Sequence, residues 1–304
     1  MTTTKPTIIR AHHDADGLIS AYFTAYGVPK AQIQLWDGEF GDTTGLKEGD
    51  YMVDMRPKQN MKGLNVIDHH GPYPEDREYE LITGEKPASY LCWEKFKEEI
   101  PKSDWWKLAI GVCGDGQPEL IPAEIFNECP QLLSRMKTSA GMYYGKWKIN
   151  YYPLYKSLSS HVNSLLRKSE FEKAINLIRF SDTPLNIVTS SDAITAKREV
   201  KDEFEKIIKT SKSYDFEDIA IFVFNSDFRM SGYIASAMQH SLDKTIMAIN
   251  MRTGRGSLRG DLALYFKDKM KDLEYLYIDG HPGFMGLSIT VNPDVLIYDL
   301  IDIL

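Results

Sequence analysis

In the stretch "RAHHDADGLISA" two histidines and two aspartates (His12, His13, Asp14, Asp16) fall within five positions, followed at once by Gly17 and an apolar run. Further along, Asp54 sits near the end of "YMVDM", the triplet Asp68, His69 and His70 follows "LNVI", and Asp115 lies in "GVCGDG". Carboxylates outnumber imidazoles and no thiolate belongs to the set, which suits a hard divalent ion, manganese or magnesium, better than structural zinc. Carboxylates buried side by side repel one another and raise each other's pKa unless a cation neutralises them. One ion rarely uses so many donors. Two ions about 3.5–4 Å apart, bridged by a shared carboxylate, would employ them all and clamp the attacking and leaving oxygens of an in-line phosphoryl displacement. The chemistry to expect is metal-assisted phosphoester hydrolysis.

Residues so far apart need a scaffold that gathers them. "PTIIRAH" reads as a strand running into the first motif, and "GLISAYFTAYG" as a helix closed by Gly27. "AQIQLWD" alternates like a strand, while "YMVDM" and "LNVIDHH" are short apolar runs that end in acids or histidines. Open α/β sheets collect ligands at the carboxyl ends of parallel strands, so these endings should converge in one crevice. On an extended backbone His12, Asp14 and Asp16 share one face and His13 takes the other. That alternation favours His12 over His13, which is left a structural role, and does not choose between His69 and His70. Gly17 is expected to permit a sharp turn from strand into helix.

From Pro87 to about Ser181 the pattern is helical ("ASYLCWEKFKEEI", "DWWKLAIGVCG", "SEFEKAINLIRF"), with "SAGMYYGKWKINYYP" read as a connection. A charged helix, "SDAITAKREVKDEFEKIIKTSK", then precedes a fresh strand, "DIAIFVFN". The expected fold is α/β: an N-terminal parallel-sheet catalytic domain over 1–185, a helical connector at 186–214, and a smaller α/β C-terminal substrate-binding domain over 215–304.

Composition narrows the partners. The chain has 304 residues, 43% of them apolar, enough for two domains with separate cores. With 36 basic and 43 acidic residues its charge is −7, which speaks against a whole-surface grip on duplex nucleic acid and fits a short substrate with few phosphates. Cys92, Cys113 and Cys129 form no CxxC pair, so neither a disulfide framework nor a zinc site is expected, and a reducing compartment suits them. No stretch approaches the ~20 apolar residues that span a bilayer. A soluble, cytoplasmic monomer or homodimer with no membrane partner is expected.

In order and approximate spacing, "HHDADG", "VDMRP", "VIDHHG" and "GVCGDG" resemble the four motifs of the DHH-family phosphoesterases, nearest to the RecJ-like branch. The resemblance implies a dinuclear manganese site, with magnesium as the other choice: His12 and Asp14 on one ion, Asp16, His69 and Asp115 on the second, and Asp54 bridging. It also implies that His70 contacts phosphate and that Asp68 orients backbone or an imidazole, so that Asp54, Asp68 and His70 form the catalytic set. "DGHPGFMGLSI" resembles the Gly-Gly-His...Gly signature of the DHH-associated C-terminal domain, with Asp279 in place of one glycine and Phe284 and Met285 in place of the usual small pair. "GSLRG", with Ser257 and Arg259, and "FRMSGYIAS", with Arg229 and Gly232, match that domain's substrate-facing segments.

The substrate contacts so implied are His70, Arg229, Ser257, Arg259, Gly280, His281 and Gly283. Glycines let backbone N–H groups approach phosphate and arginines fork onto it, although Gly280, Gly283 and Gly286 would also serve a plain turn. The activity implied is that of a manganese-dependent phosphodiesterase or exonuclease on short single-stranded nucleic acid, by in-line attack of a bridging hydroxide. Cyclic-dinucleotide phosphodiesterase, 3'-phosphoadenosine 5'-phosphate phosphatase and polyphosphatase are the alternatives, as is an inactive replication scaffold whose ligands have decayed. The presence of all six implied ligands favours an enzyme. Phe228, Phe284, Tyr143 and Tyr144 are candidates for stacking on bases, each with a competing role in core or loop.

Overall fold

The apolar run Ile8–Ala11 forms β1, and the chain then turns into α1 (Ala15–Gly27), as its helical periodicity requires. β2 (Gln32–Leu35), β3 (Tyr51–Val53), β4 (Asn65–Ile67) and β5 (Glu80–Ile82) follow. They make one sheet in the order β2-β1-β3-β4-β5, and every neighbouring pair is parallel. The computed structural model describes residues 5–143, 146–281, 283–291, 295, 296 and 298–300, with backbone alone for 138–143, 146–150, 279 and 281. Its contacts divide the chain into two units, Met1–Leu166 with Glu170–Lys197, and Arg167–Ser169 with Arg198–Leu304.

Strand alternation sorts the first sheet's side chains. Ile9, Ala11, Val53 and Ile67 enter the main core, which also takes in residues of α1, α2 (Ala88–Lys95) and α3 (Leu108–Gly114). Met52 and Val66 enter a smaller core with Leu46, Met55, Leu64 and Tyr79. Arg10 is buried. Its guanidinium donates to Gln34 Oε1 at 3.1 Å and to the carbonyls of Asp42 and Thr44 at 2.7 and 2.9 Å, and lies 3.8 Å over the Trp36 ring. These bonds pin the loop that follows β2. On α1, the hydroxyls of Tyr22 and Tyr26 both donate to Asp104, whose Oδ1 lies 2.8 Å from the buried Lys107 ammonium, so a satisfied polar network ties α1 to a 3-10 segment at Lys102–Lys107.

The rest of the first unit holds α4 (Ala123–Glu128), β6 (Arg135–Tyr143), β7 (Lys146–Pro153), α5 (Tyr155–Arg167), α6 (Phe171–Phe180), α7 (Pro184–Thr189) and the start of α8 (Ser191–Thr210). The segment read as a connection, "SAGMYYGKWKINYYP", is instead most of an antiparallel two-stranded ribbon of β6 and β7. Its tyrosines, tryptophan and isoleucine fit a pleated backbone better than a loop. The stretch read as one helix in "DWWKLAIGVCG" is split between the 3-10 segment and α3, and α2 stops at Lys95, short of the expected end.

The second unit contains β8 (Lys212–Asp215), β9 (Ile219–Phe224), α9 (Ser231–Leu242), β10 (Thr245–Asn250), β11 (Arg255–Arg259), α10 (Ala263–Lys269), β12 (Leu276–His281) and β13 (Phe284–Ile289). Its sheet runs β12-β13-β11-β10-β9-β8, parallel between β9 and β10 and antiparallel elsewhere. β9 is apolar on both faces: Ile219, Ile221 and Val223 enter one core, Ala220, Phe222 and Phe224 another. A strand covered on both sides reads as a continuous apolar run for this reason. The chain is therefore α/β in both units. Among the described residues no helix is long and apolar enough to cross a membrane.

Candidate metal centre

Three parallel strands deliver their following residues to one place. β1 stops at Ala11, so the alternation expected to align His12, Asp14 and Asp16 does not operate, and a helix start does the work instead. Asp14 caps α1: its Oδ1 accepts from Gly17 N at 2.9 Å and its Oδ2 lies 2.8 Å from His12 Nδ1. Asp16, in the first turn of α1, accepts from the Ala88 and Ser89 amides at 2.9 and 3.1 Å, so its carboxylate also caps the start of α2. Gly17 is needed for room, not for a sharp turn, because a Cβ there would come within 2.3 Å of the His12 carbonyl oxygen.

Asp54 follows β3 with φ +56°, a left-handed conformation that non-glycine residues adopt mainly under constraint, often at functional sites. Its side chain is 2% exposed. Oδ2 lies 3.6 Å from His12 Nδ1; Oδ1 lies 3.3 Å from His69 Nε2 and 3.8 Å from His70 Nδ1. Oδ1 is buried and accepts no hydrogen bond of good geometry among the described residues. Two donor groups share this carboxylate, His12 with Asp14 and His69 with His70, each group having its ligand atoms within 4.8 Å of one another. Asp16 Oδ2 lies 3.8 Å from His69 Nε2. Asp115 caps the end of α3 and accepts from Gln117 Nε2 at 2.9 Å. Asp16 and Asp115 stand outside the two tight groups but belong to the same electrostatic cluster.

Burial, reinforced by Asp54 and Asp115, raises the Asp16 carboxyl well above the usual range. Burial with Asp54 and Asp14 nearby pushes Asp115 up to about 7. Burial disfavours a charged His69, yet Asp54, Asp16 and Asp115 hold its imidazolium up to about 10. His12 is also raised against burial, by Asp14 and Asp54, and Asp14 is held low against burial by His12. Carboxylates that raise one another in this way are stabilised by a cation. The donors are oxygen and imidazole without thiolate, and the unsatisfied Asp54 Oδ1 is a ready ligand atom, so these residues fit hard divalent ions.

Around this cluster, Asp68 is fully buried and accepts from His70 Nδ1 at 2.6 Å and from the Tyr73 hydroxyl at 2.9 Å. Burial opposes its charge, but His70 and Tyr73 keep the carboxyl below the usual range. An ionised carboxylate only accepts, so His70 Nδ1 carries the hydrogen. Phe40 sets its ring edge-on to both His12 and His70, at 5.6 and 5.5 Å between centroids. His13 bonds the Trp36 carbonyl at 2.9 Å. Asn163 on α5 accepts from Ala15 N at 3.0 Å, buttressing the start of α1. Phe40, Tyr73, Gln117 and Asn163 carry no motif; only Tyr73, close behind the DHH triplet, and Gln117, two residues after Asp115, lie near a signal.

In the second unit, Ser257 Oγ donates to the Met285 carbonyl at 3.1 Å. Arg259 Nη1 donates to the Leu258 and Met285 carbonyls at 3.0 and 2.8 Å, and its guanidinium lies 5.2 Å from the Phe284 ring centroid. Its Nε is buried with no hydrogen-bond partner among the described residues, and burial lowers its pKa to about 10. A Cβ on Gly232 would lie 3.3 Å from Arg259 Nη2, so the start of α9 abuts this cation. Arg229 donates to Ser169 Oγ at 3.2 Å; burial and the neighbouring Arg255 lower it to about 10. Gly280 has φ +135° and Gly283 φ +84°, so the β12–β13 hairpin itself demands glycine at both. Phe228 packs partly buried against a core, whereas Phe284 is exposed. The side chains of His281, Asp279 and Tyr143, and all of Tyr144, lie outside the described residues.

No protein-family model matches the chain, and no curated protein matches it in sequence. Solved structures match it in fold. RecJ from Thermus thermophilus in complex with Mn2+ superposes with a TM-score of 0.66 at 14% identity, over 96% of this chain and 51% of that one. This chain thus spans about half the length of that RecJ. An exonuclease RecJ bound to manganese gives 0.61 at 14% identity, over 94% and 86% of the two chains. A pGpG-specific phosphodiesterase from Vibrio cholerae gives 0.50 at 13% identity, over 98% of each. The fold that brings four sequence motifs together around Asp54 is the fold shared by these RecJ structures and by a solved protein described by its DHH domain.

Proposed function

We propose that this chain is a divalent-metal-dependent phosphoesterase that hydrolyses phosphodiester bonds in short single-stranded nucleic acid. One observation carries the reading: the buried Asp54 carboxylate is shared by two groups of candidate ligands, and its Oδ1 accepts no hydrogen bond of good geometry among the described residues. His12 and Asp14 would hold one ion, Asp16, His69 and Asp115 a second, and Asp54 both. Manganese or magnesium bound there would supply a water of lowered pKa and offset charge developing on the phosphoryl oxygens. The solved structures of similar fold described as RecJ with manganese support that choice of ion.

The chain's own residues do the positioning. Asp68 holds His70 Nδ1, so contact with a phosphate falls to Nε2, and Tyr73 fixes the second oxygen of Asp68. The left-handed backbone at Asp54 aims its carboxylate between His12 and His69. In the second unit, Arg259 is a half-buried cation whose Nε is buried with no hydrogen-bond partner among the described residues, beside the start of α9; such a guanidinium suits an anionic ligand. We assign phosphate or sugar contacts there to Arg229, Ser257, Arg259, Gly280, His281 and Gly283. On this reading the N-terminal domain (1–185) carries the chemistry, α8 forms most of the connector (186–214), and the C-terminal domain (215–304) binds substrate.

A second reading, a phosphodiesterase of linear or cyclic dinucleotides, draws support from the pGpG-specific enzyme that matches along nearly its whole length. Chelator-stripped protein resupplied with Mn2+ should be offered a single-stranded 20-mer, a dinucleotide, a cyclic dinucleotide and polyphosphate. Mononucleotide release from both 20-mer and dinucleotide is expected. Cleavage of the dinucleotides alone selects the second reading, and cleavage of polyphosphate alone overturns both.

A further inference from the structure

From residue 135 to 156 the sequence contains Arg135, Lys137, Lys146, Lys148 and Lys156, and all 43 of the chain's aspartates and glutamates fall outside the span. The same span holds Tyr143, Tyr144, Trp147, Tyr151, Tyr152 and Tyr155. A block of uncompensated positive charge with interleaved aromatics is conspicuous in a chain of net charge −7. It is also the span that folds as the β6–β7 ribbon, whose two strands form a sheet of their own. A two-stranded ribbon is marginal by itself and leaves both edges open, so its upkeep asks for a reason beyond packing.

The register supplies the geometry. Arg135 stands opposite Pro153, Met136 opposite Tyr152, and Lys137 opposite Tyr151. Residues directly opposite share a face and successive residues alternate. Met136 packs against the first unit's core, so the other face carries Arg135, Lys137 and Tyr151 together. Both cations are exposed, as is Lys156 just beyond β7, and Tyr151 is 52% exposed. A large exposed aromatic directly opposite one cation and diagonal to a second, with no carboxylate of its own segment to quench them, matches what single-stranded nucleic acid recognises: charge for the phosphates and a ring for a base.

We infer that the Arg135–Lys137–Tyr151 face of the ribbon docks a single-stranded polynucleotide, holding it by two phosphate contacts and one stacked base. The inference rests on the nucleic-acid reading of the metal centre and makes this face the hold on strand beyond the bond being cut. The overall negative charge of the chain leaves such a strand to be captured by a local basic face, which the ribbon provides.

The test uses the full chain. Binding of a fluorescein-labelled single-stranded 20-mer is followed by anisotropy at several salt concentrations with chelator present, and Mn2+-dependent hydrolysis of an unlabelled dinucleotide is measured in parallel. Arg135→Gln with Lys137→Gln should weaken 20-mer binding about tenfold or more and lower the slope of log affinity against log salt by about 1.4, two single-strand phosphate contacts' worth. Tyr151→Ala should weaken it about fivefold or more and Tyr151→Trp should restore it. Dinucleotide hydrolysis should stay at the wild-type rate, which also shows that each variant is folded. Unaltered 20-mer affinity in these variants overturns the inference. So does a loss of binding to vesicles of anionic phospholipid without loss of binding to the 20-mer. A wild-type chain that binds the 20-mer through this face but cleaves neither substrate refutes the reading of the metal centre and leaves the docking face standing.

Discussion

His69 Nε2 lies 3.3 Å from Asp54 Oδ1 with both side chains 2% exposed, an imidazole and a carboxylate facing each other out of water. Burial disfavours the charge on His69, but Asp54, Asp16 and Asp115 hold its pKa up to about 10, and Asp115 is pushed up to about 7. A cation can use these donors only as neutral imidazole and ionised carboxylate, so its binding must expel protons. Calorimetric titration of Mn2+ near neutral pH, in buffers of different ionisation enthalpy, should show net proton release, and affinity should climb from pH 6 to pH 8. Affinity independent of pH would refute this picture.

Asp115 gives a prediction about stability. Burial and Asp54 raise its carboxyl from the ordinary 3.8 to about 7, so between those values the folded chain keeps a proton that the unfolded chain has lost. The stability this provides in acid fades as pH rises toward 7, and above it a buried charge opposes folding. Asp115→Asn keeps the shape without the charge. With chelator present its folding stability should exceed wild type by about 2 kcal/mol at pH 8 and equal it at pH 4, while Mn2+ affinity falls. Thermal melts at the two pH values check the sign.

Asp68 touches His70 and Tyr73. Asp68→Asn should therefore lower turnover about 10–100-fold, the usual scale for groups that orient a site's imidazoles, while the number of Mn2+ ions bound per chain stays the same. Tyr73→Phe should show a smaller effect in the same direction. Lost metal stoichiometry in Asp68→Asn would place Asp68 among the ligands instead.

Phe40 contacts both His12 and His70 edge-on, and each such contact is worth about 0.5–1.5 kcal/mol. Phe40→Ala should weaken Mn2+ binding and activity together by up to about tenfold, and Phe40→Tyr should recover most of both. Melting curves separate this from general unfolding, since Phe40 lies on the loop after β2 that Arg10 holds independently.

The parallel βα layout and the gathering of His12, Asp54, Asp68, His69 and His70 at strand ends are legible in the sequence because apolar runs stopping at acids or histidines are a local signal. What is illegible there is made by distant chain or by backbone angle. The φ of +56° at Asp54, the Asn163 bond to Ala15 across 148 residues, and the Asp16 cap on α2 leave no mark on neighbouring residues. The ribbon at 135–153 passes for a connection because glycine and polar residues mask the strand preference of its aromatics.

The most direct measurement of the central claim, that Asp54 is the carboxylate both metal groups share, is Mn2+-dependent mononucleotide release by Asp54→Ala set against wild type. The variant should keep the wild-type circular dichroism spectrum and release product no faster than buffer at any manganese concentration. A folded Asp54→Ala protein that retains activity, or regains it with excess manganese, would contradict the account.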